Sequence, residues 1–336
     1  MKTFLANKGV RPSLHTYFIE AMSFMALGLF SSLLIGLIIQ TVGEQAGVGF
    51  LIEAGTLAMG MMGPAIGVAV AYALGGPPLV LFSAAATGAA GAELGGPAGA
   101  FLAAVVSVEI GKIVSKETKI DIVVTPAVTV LSGFAVAWAI GPVIDSGLRR
   151  FGELINWATT QEPFTMSILI AVLMGLALTA PISSAAIAVM LDLSGLAAGA
   201  ATVGCSAQMV GFAVMSFREN RWGGLASIGL GTSMLQFPNI LKNPRLLIPP
   251  TLAGAILAPI AVIVFSMESN AAGAGMGTAG FVGQIMTITT MGFSYQLLAV
   301  IVAFHIVLPA LIAWVISLGL RKISWIKDGD QLIRQG

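Results

Sequence analysis

Charge is scarce in this chain. Of its 336 residues, 16 are Lys or Arg and 15 are Asp or Glu, 9% in all, while 57% are hydrophobic. Soluble domains carry about 25% charged residues, so a water-solvated surface is excluded. The mean hydropathy of +0.96 is spread over apolar runs too long and too numerous for one buried core. The single cysteine, Cys205, excludes an intramolecular disulfide and any CxxC site. Its context, TVGCSAQ, places no cation or histidine beside it, so it reads as a small packing residue. No basic stripe is present, which argues against nucleic acid as a partner. HExxH, GxSxG, Walker and paired acidic motifs are all missing. The expectation is therefore a protein that is not an enzyme and uses no metal or cofactor.

What remains is the sequence of an all-α polytopic membrane protein. Apolar runs long enough to span a bilayer, about 20 residues, cover 17–41, 47–74, 122–144, 164–191, 246–267 and 293–320. Weaker stretches at 77–92, 97–114, 195–217, 222–238 and 271–291 are dense in Gly, Ala, Ser or Thr. Irregular backbone at membrane depth survives only where protein or water satisfies it. The expectation is thus about 8–10 transmembrane helices with re-entrant hairpins. The N-terminal MKTFLANKGVRPSLHTYF is polar and lacks a small-residue cleavage site, so the first run reads as retained.

Cations cluster before residue 12, at 112–119, 218–221 and 242–245, and after Arg321. By the positive-inside rule both termini are cytoplasmic, and residues 77–112 must cross an even number of times. A hairpin folded at the GGP of 95–97 satisfies that count. The spacing of Leu148, Phe151 and Ile155 predicts an interfacial helix over 145–162. A gapless shift of 115 pairs Met59-Gly60 with Met174-Gly175 and Ala85-Ala86-Thr87 with Ala200-Ala201-Thr202. The same shift pairs Glu93 with Gln208. Repeat halves near 17–144 and 164–320 follow, in one integral membrane domain spanning the chain, with Glu93 and Gln208 facing each other across a pseudo-symmetric site.

Several polar residues lie where hydrocarbon would penalise them. Glu93, in GAAGAELGGPAGAF, is the only charge between Glu53 and Glu109. An intramembrane carboxylate faces a cavity or a partner, so Glu93 either binds substrate or accepts backbone N–H bonds at a hairpin tip. Glu109 stands three residues before Lys112, at ion-pair spacing on a helix. Asp192 precedes a Ser-Gly pair and reads as a turn or cap. His305 sits inside an apolar run with Pro309 four residues on; the proline's missing N–H frees the His305 carbonyl and kinks the helix. The ring then either binds a substrate hydroxyl or packs as a satisfied core residue. The stretch 229–250 holds Thr232, Ser233, Gln236, Asn239 and Asn243 among four prolines. Regular helix cannot run through it, which suggests a re-entrant element leading into a cytoplasmic loop.

At 238–253, Pro238, Asn243-Pro244, Ile248-Pro249 and Leu252-Ala253 stand in the order found in the IIC membrane subunit of bacterial sugar phosphotransferase systems, which this chain resembles. ELGGPAGAFLAA, SKETKIDIVVTPAVT and TAPISSAAIA are similar to a stand-alone IIC branch that includes relatives of a toxin-production regulator. The resemblance implies an elevator-type permease in the bacterial cell membrane, usually a homodimer, moving a small polar, sugar-like solute. A membrane ligand sensor that does not transport is the alternative. Two departures matter. The hairpin glutamate that holds sugar hydroxyls in those relatives is replaced here by Gly231-Thr232-Ser233. No IIA-like or IIB-like domain is evident, so phosphorylation of the solute would need separate phosphotransferase components. The expected substrate-binding set is Glu93, Gln208, Thr232, Ser233, Gln236, Asn239, Asn243 and His305.

Overall fold

A computed structural model describes residues 2–10, 13 and 15–333, which form two compact units, one ending at Gly147 and the other spanning Leu148–Ile333. The described residues are helical, with a single isolated bridge, Gly195 to Ser269, as the only extended pairing among them.

The first unit contains α1 (Thr16–Glu44), α2 (Gly49–Gly60), α3 (Met62–Ala73), α4 (Pro78–Val114) and most of α5 (Asp121–Thr159). The expected span 47–74 is broken: α2 and α3 meet at a 50° bend. Pro64 lies just beyond that bend and offers no N–H to the carbonyl of Gly60, so the helix cannot continue straight. α4 doubles back on itself. Gly95 (φ −155°, ψ 20°) and Gly96 (φ 60°, ψ −153°) leave helical geometry, and the positive φ of Gly96 is a conformation that side chains disfavour. The two arms then run antiparallel. Gly91 and Gly99 touch backbone to backbone, and Ser107 Oγ donates to Thr87 Oγ1 at 3.1 Å. The Gly-Gly-Pro sequence thus makes the hairpin that the charge pattern required.

The hairpin's return arm ends on Lys112. Its buried ammonium donates to the carbonyls of Gly9 (2.7 Å) and Leu74 (2.9 Å). It also pairs with Glu109 at 3.2 Å. The ion pair anticipated from the spacing is therefore present, and it fastens three chain segments together.

α5 corrects one expectation. Residues 145–162 do not begin a separate interfacial helix; 121–159 is one 39-residue helix, about 58 Å long at 1.5 Å per residue. Gly141-Pro142 sits inside it without ending it, because a proline deletes one hydrogen bond but leaves the neighbouring turns to carry the helix.

The second unit is built around α8 (Gly195–Met215), preceded by α6 (Pro163–Thr179) and α7 (Ser184–Met190). The expected span 164–191 stops at Thr179, since Pro181 drives the preceding residue out of the helical region: Ala180 has ψ 160°. Asp192 makes a left-handed turn (φ 47°) before Ser194 opens α8. α9 (Phe217–Ala226) leads into the proline-rich segment, followed by α10 (Phe237–Lys242), α11 (Ile248–Phe265), α12 (Ala271–Ala274), α13 (Val282–Met291) and α14 (Tyr295–Lys322). Of the apolar window of α8, 94% is buried, against 22% for α5, so α8 is the interior helix and α5 a peripheral one. Small residues permit this burial: Gly204 packs on the backbone of Ala171, and Gly199 on that of Met267.

Among the described residues, six helices are long and apolar enough to cross a membrane, or seven if the bent pair α2–α3 is one span. The count of eight to ten expected from the sequence takes the two arms of α4 and the broken glycine-rich stretches as separate crossings.

Candidate functional site

Three polar clusters lie inside the second unit, and α8 organises two of them. Residues two apart on a helix point to different faces, so Gln208 and Ser206 serve different neighbours. Gln208 is buried and donates through Nε2 to Thr251 Oγ1 at 2.8 Å. Thr179 Oγ1, at the end of α6, lies 2.8 Å from Ser233 Oγ and 3.5 Å from Gln208 Oε1. A chain of neutral hydroxyl and amide groups thus links α6, α8, α11 and the segment after Thr232. Thr232 itself is extended (φ −158°, ψ 142°), and its hydroxyl accepts from the N–H of Met234 at 3.1 Å. It caps a short 3₁₀ turn, and the turn places Ser233.

The second cluster surrounds His305, which is wholly buried. Its turn is a π-helix over Ala303–Val307, with Pro309 beyond. This is the local distortion that the proline demands, since the His305 carbonyl has lost its helical donor. Gln284 Nε2 approaches Nδ1 at 3.1 Å, and Nε2 of the ring faces Met267 Sδ at 3.1 Å. With the amide as donor, Nδ1 accepts and the ring proton sits on Nε2. Gln284 Oε1 is then buried with no partner among the described residues. Gln284 Nε2 also lies 3.5 Å from Ser206 Oγ on α8.

The third cluster is the proline-rich segment. Helix is interrupted at Thr232 and again at Asn243 (φ −138°, ψ 89°), the residue before Pro244. Gln236 and Asn239 are buried, joined by a 2.9 Å bond from Asn239 Nδ2 to Gln236 Oε1. Their remaining donors, and those of Asn243, go to residues 325–333.

The expected site residues therefore separate. Gln208 and Ser233 share a network through Thr179; Gln236 and Asn239 bond each other directly; Thr232 is a local cap; His305 belongs to its own cluster. Glu93 lies in the first unit, exposed two residues before the α4 turn, with no hydrogen-bond partner among the described residues, so the tip is not held by its carboxylate. Cys205 is buried with its Sγ 3.4 Å from the Ala274 carbonyl, a packing residue as expected. Sequence reasoning missed Thr179, Thr251, Asn220 and Gln284. Gln284 carried a readable signal, an amide inside an apolar glycine-rich stretch; the threonines carried none.

A family model described as Phosphotransferase system, EIIC matches residues 19–333. The chain belongs to the EIIC family. No curated protein and no solved structure gives a match. EIIC proteins are the membrane components of phosphotransferase systems, so this chain is a multi-pass membrane protein with a transport-related role.

Proposed function

We propose that this EIIC protein is a permease for a small, neutral, sugar-like solute, working by elevator-type alternating access. One observation carries the reading. The Thr179–Ser233–Gln208–Thr251 network is buried, uncharged and fed by a segment broken twice. Hydroxyl and amide groups exchange hydrogen bonds with a polyol without the penalty of stripping water from a charge. The loss of the family's hairpin glutamate at Gly231-Thr232-Ser233 moves this role to neutral groups. Thr232, Gln236, Asn239, Asn243 and His305 complete the candidate set in the second unit, and Glu93 stands as a separate candidate in the first.

The two units support a repeat reading. In the first, a Cβ added at Gly63 would stand 2.7 Å from both the Gly88 carbonyl oxygen and the Ala92 side chain. In the second, one added at Gly175 would meet Gln208 at 2.9 Å and the Gly204 carbonyl oxygen at 3.1 Å. Both are antiparallel helix pairs closed on small residues, although the shift of 115 that aligns the sequences places Gly175 and Gly204 opposite Gly60 and Ala89 rather than opposite Gly63 and Gly88. On this reading the protein sits in the bacterial cell membrane as a homodimer with cytoplasmic termini. It is not itself an enzyme, and any phosphorylation falls to separate IIA and IIB components.

A thermal-shift panel of neutral sugars and polyols against purified protein, followed by proteoliposome uptake of each hit, tests the proposal. A ligand that binds only the folded state raises apparent stability. Saturable uptake supports the permease; saturable binding without flux replaces it with a ligand sensor.

A further inference from the structure

The amides of the proline-rich segment are already engaged, and their occupant is the chain itself. Gln236 Nε2 and Asn220 Nδ2 both donate to the main-chain carbonyl of Gln331, at 2.9 and 2.7 Å. Asn239 Nδ2 donates to the Leu332 carbonyl at 3.1 Å, and the Ile333 N–H returns a bond to Asn220 Oδ1 at 2.9 Å. Further back, Asn243 Nδ2 donates to the Trp325 carbonyl and to Asp330 Oδ2, each at 2.9 Å. Arg321 fixes the base of the stretch through Glu219 and Asp328, both at 2.7 Å.

Two features distinguish this from an ordinary surface attachment. The side-chain amide of Gln331 is wholly buried, yet neither its oxygen nor its nitrogen has a partner among the described residues. A buried primary amide left unpaired opposes docking, because water would satisfy both atoms. The docked state is therefore held by main-chain bonds and weakened by its own side chain. The groups that receive the stretch are also neutral amides converging on carbonyl oxygens, the geometry that a sugar hydroxyl would meet. At the base of the stretch, Arg321 and Glu219 neutralise each other at 2.7 Å.

We propose that Asn220, Gln236 and Asn239 form a hydroxyl-binding cleft for a neutral polyhydroxylated solute, and that residues 329–333 are its displaceable internal occupant. The proposal rests on the permease reading and adds Asn220 to the site, with competition between solute and chain as its regulation. A competitor present in nine of ten molecules lowers apparent affinity about tenfold.

The test compares full-length protein with a variant truncated after Asp328 and with Ile333→Pro, which deletes the N–H donated to Asn220 and leaves the cleft's side chains intact. Glucose, mannitol and N-acetylglucosamine serve as probes, with inorganic phosphate as the charged control. Affinity is read by calorimetry, and the docked stretch by hydrogen–deuterium exchange. A probe that binds full-length protein should bind the truncated form about tenfold tighter and Ile333→Pro more tightly in the same direction. The bound probe should speed exchange in 325–333 of the full chain while α8 stays protected. Equal affinity in all three proteins overturns the competition and leaves the permease reading standing. Truncation that exposes α8 to exchange, together with unchanged affinity in Ile333→Pro, makes the stretch a structural tether and also overturns it. Tighter binding of phosphate than of every sugar overturns the neutral class. Binding of no probe to any form, with no uptake, removes the permease reading itself.

Discussion

Replacing Lys112 by methionine tests how the first unit is held together. The ammonium is buried, donates to two carbonyls from distant segments, and neutralises Glu109. Methionine keeps most of the stem's volume but removes every one of these bonds. Glu109 Oε1 would then lose its donor, beside an Oε2 that has no hydrogen-bond partner among the described residues. Removing one member of a buried ion pair typically costs about 3–5 kcal/mol, and the orphaned Gly9 and Leu74 carbonyls act in the same direction. Lys112→Met should therefore destabilise by about that amount. The double variant Lys112→Met/Glu109→Gln no longer buries an uncompensated charge and should recover about 1–3 kcal/mol of it. Reversible unfolding in mild detergent, run as a double-mutant cycle, gives the coupling directly. A single-variant loss under about 1 kcal/mol, or strictly additive effects, would show that the pair behaves as a solvated surface contact and would refute the reasoning.

Other perturbations probe the hairpin, the networks and the candidate carboxylate. Gly91→Ala drives a Cβ into the Gly99 backbone and should cost about 1–3 kcal/mol; Gly147→Ala, with nothing within 4 Å, should be neutral or slightly stabilising, and thermal denaturation compares the two. Thr179→Val strips Ser233 of its 2.8 Å partner and should cost about 1–3 kcal/mol, while Thr179→Val/Ser233→Ala should recover much of it. His305→Leu leaves Gln284 Nε2 with only its long 3.5 Å contact to Ser206 Oγ among the described residues and should destabilise more than His305→Gln, which keeps a polar contact, by about 1–2 kcal/mol. Glu93→Gln should leave the melting temperature unchanged, because the side chain is exposed, and weaken solute binding; wild-type affinity and uptake would remove Glu93 from the site.

Much of the fold was legible because membrane sequence is read through few rules. Apolar length located α1, α5, α11 and α14; the even-crossing requirement and Gly95-Gly96-Pro97 located the α4 hairpin; Pro238, Pro244, Pro249 and Pro250 forbade a continuous helix around the amides. Where the reading missed, a proline acted differently from its average. Pro64 and Pro181 ended helices within expected spans, whereas Pro142 lies within α5 without breaking it. A proline's outcome depends on whether neighbouring turns are held by packing, and that is not written locally.

The sequence by itself determined a membrane protein, its breaks, and a set of polar residues too costly to leave in hydrocarbon. Only the tertiary structure decided which of them meet. Gln236 reaches a carbonyl 95 positions away, and Lys112 one 103 positions away. Polar side chains in an apolar interior must find partners, and a sequence states that need without stating who answers it. Helix packing answered it, joining Gln208 to Thr251, His305 to Gln284, and the Asn-Gln cleft to the chain's own residues 325–333.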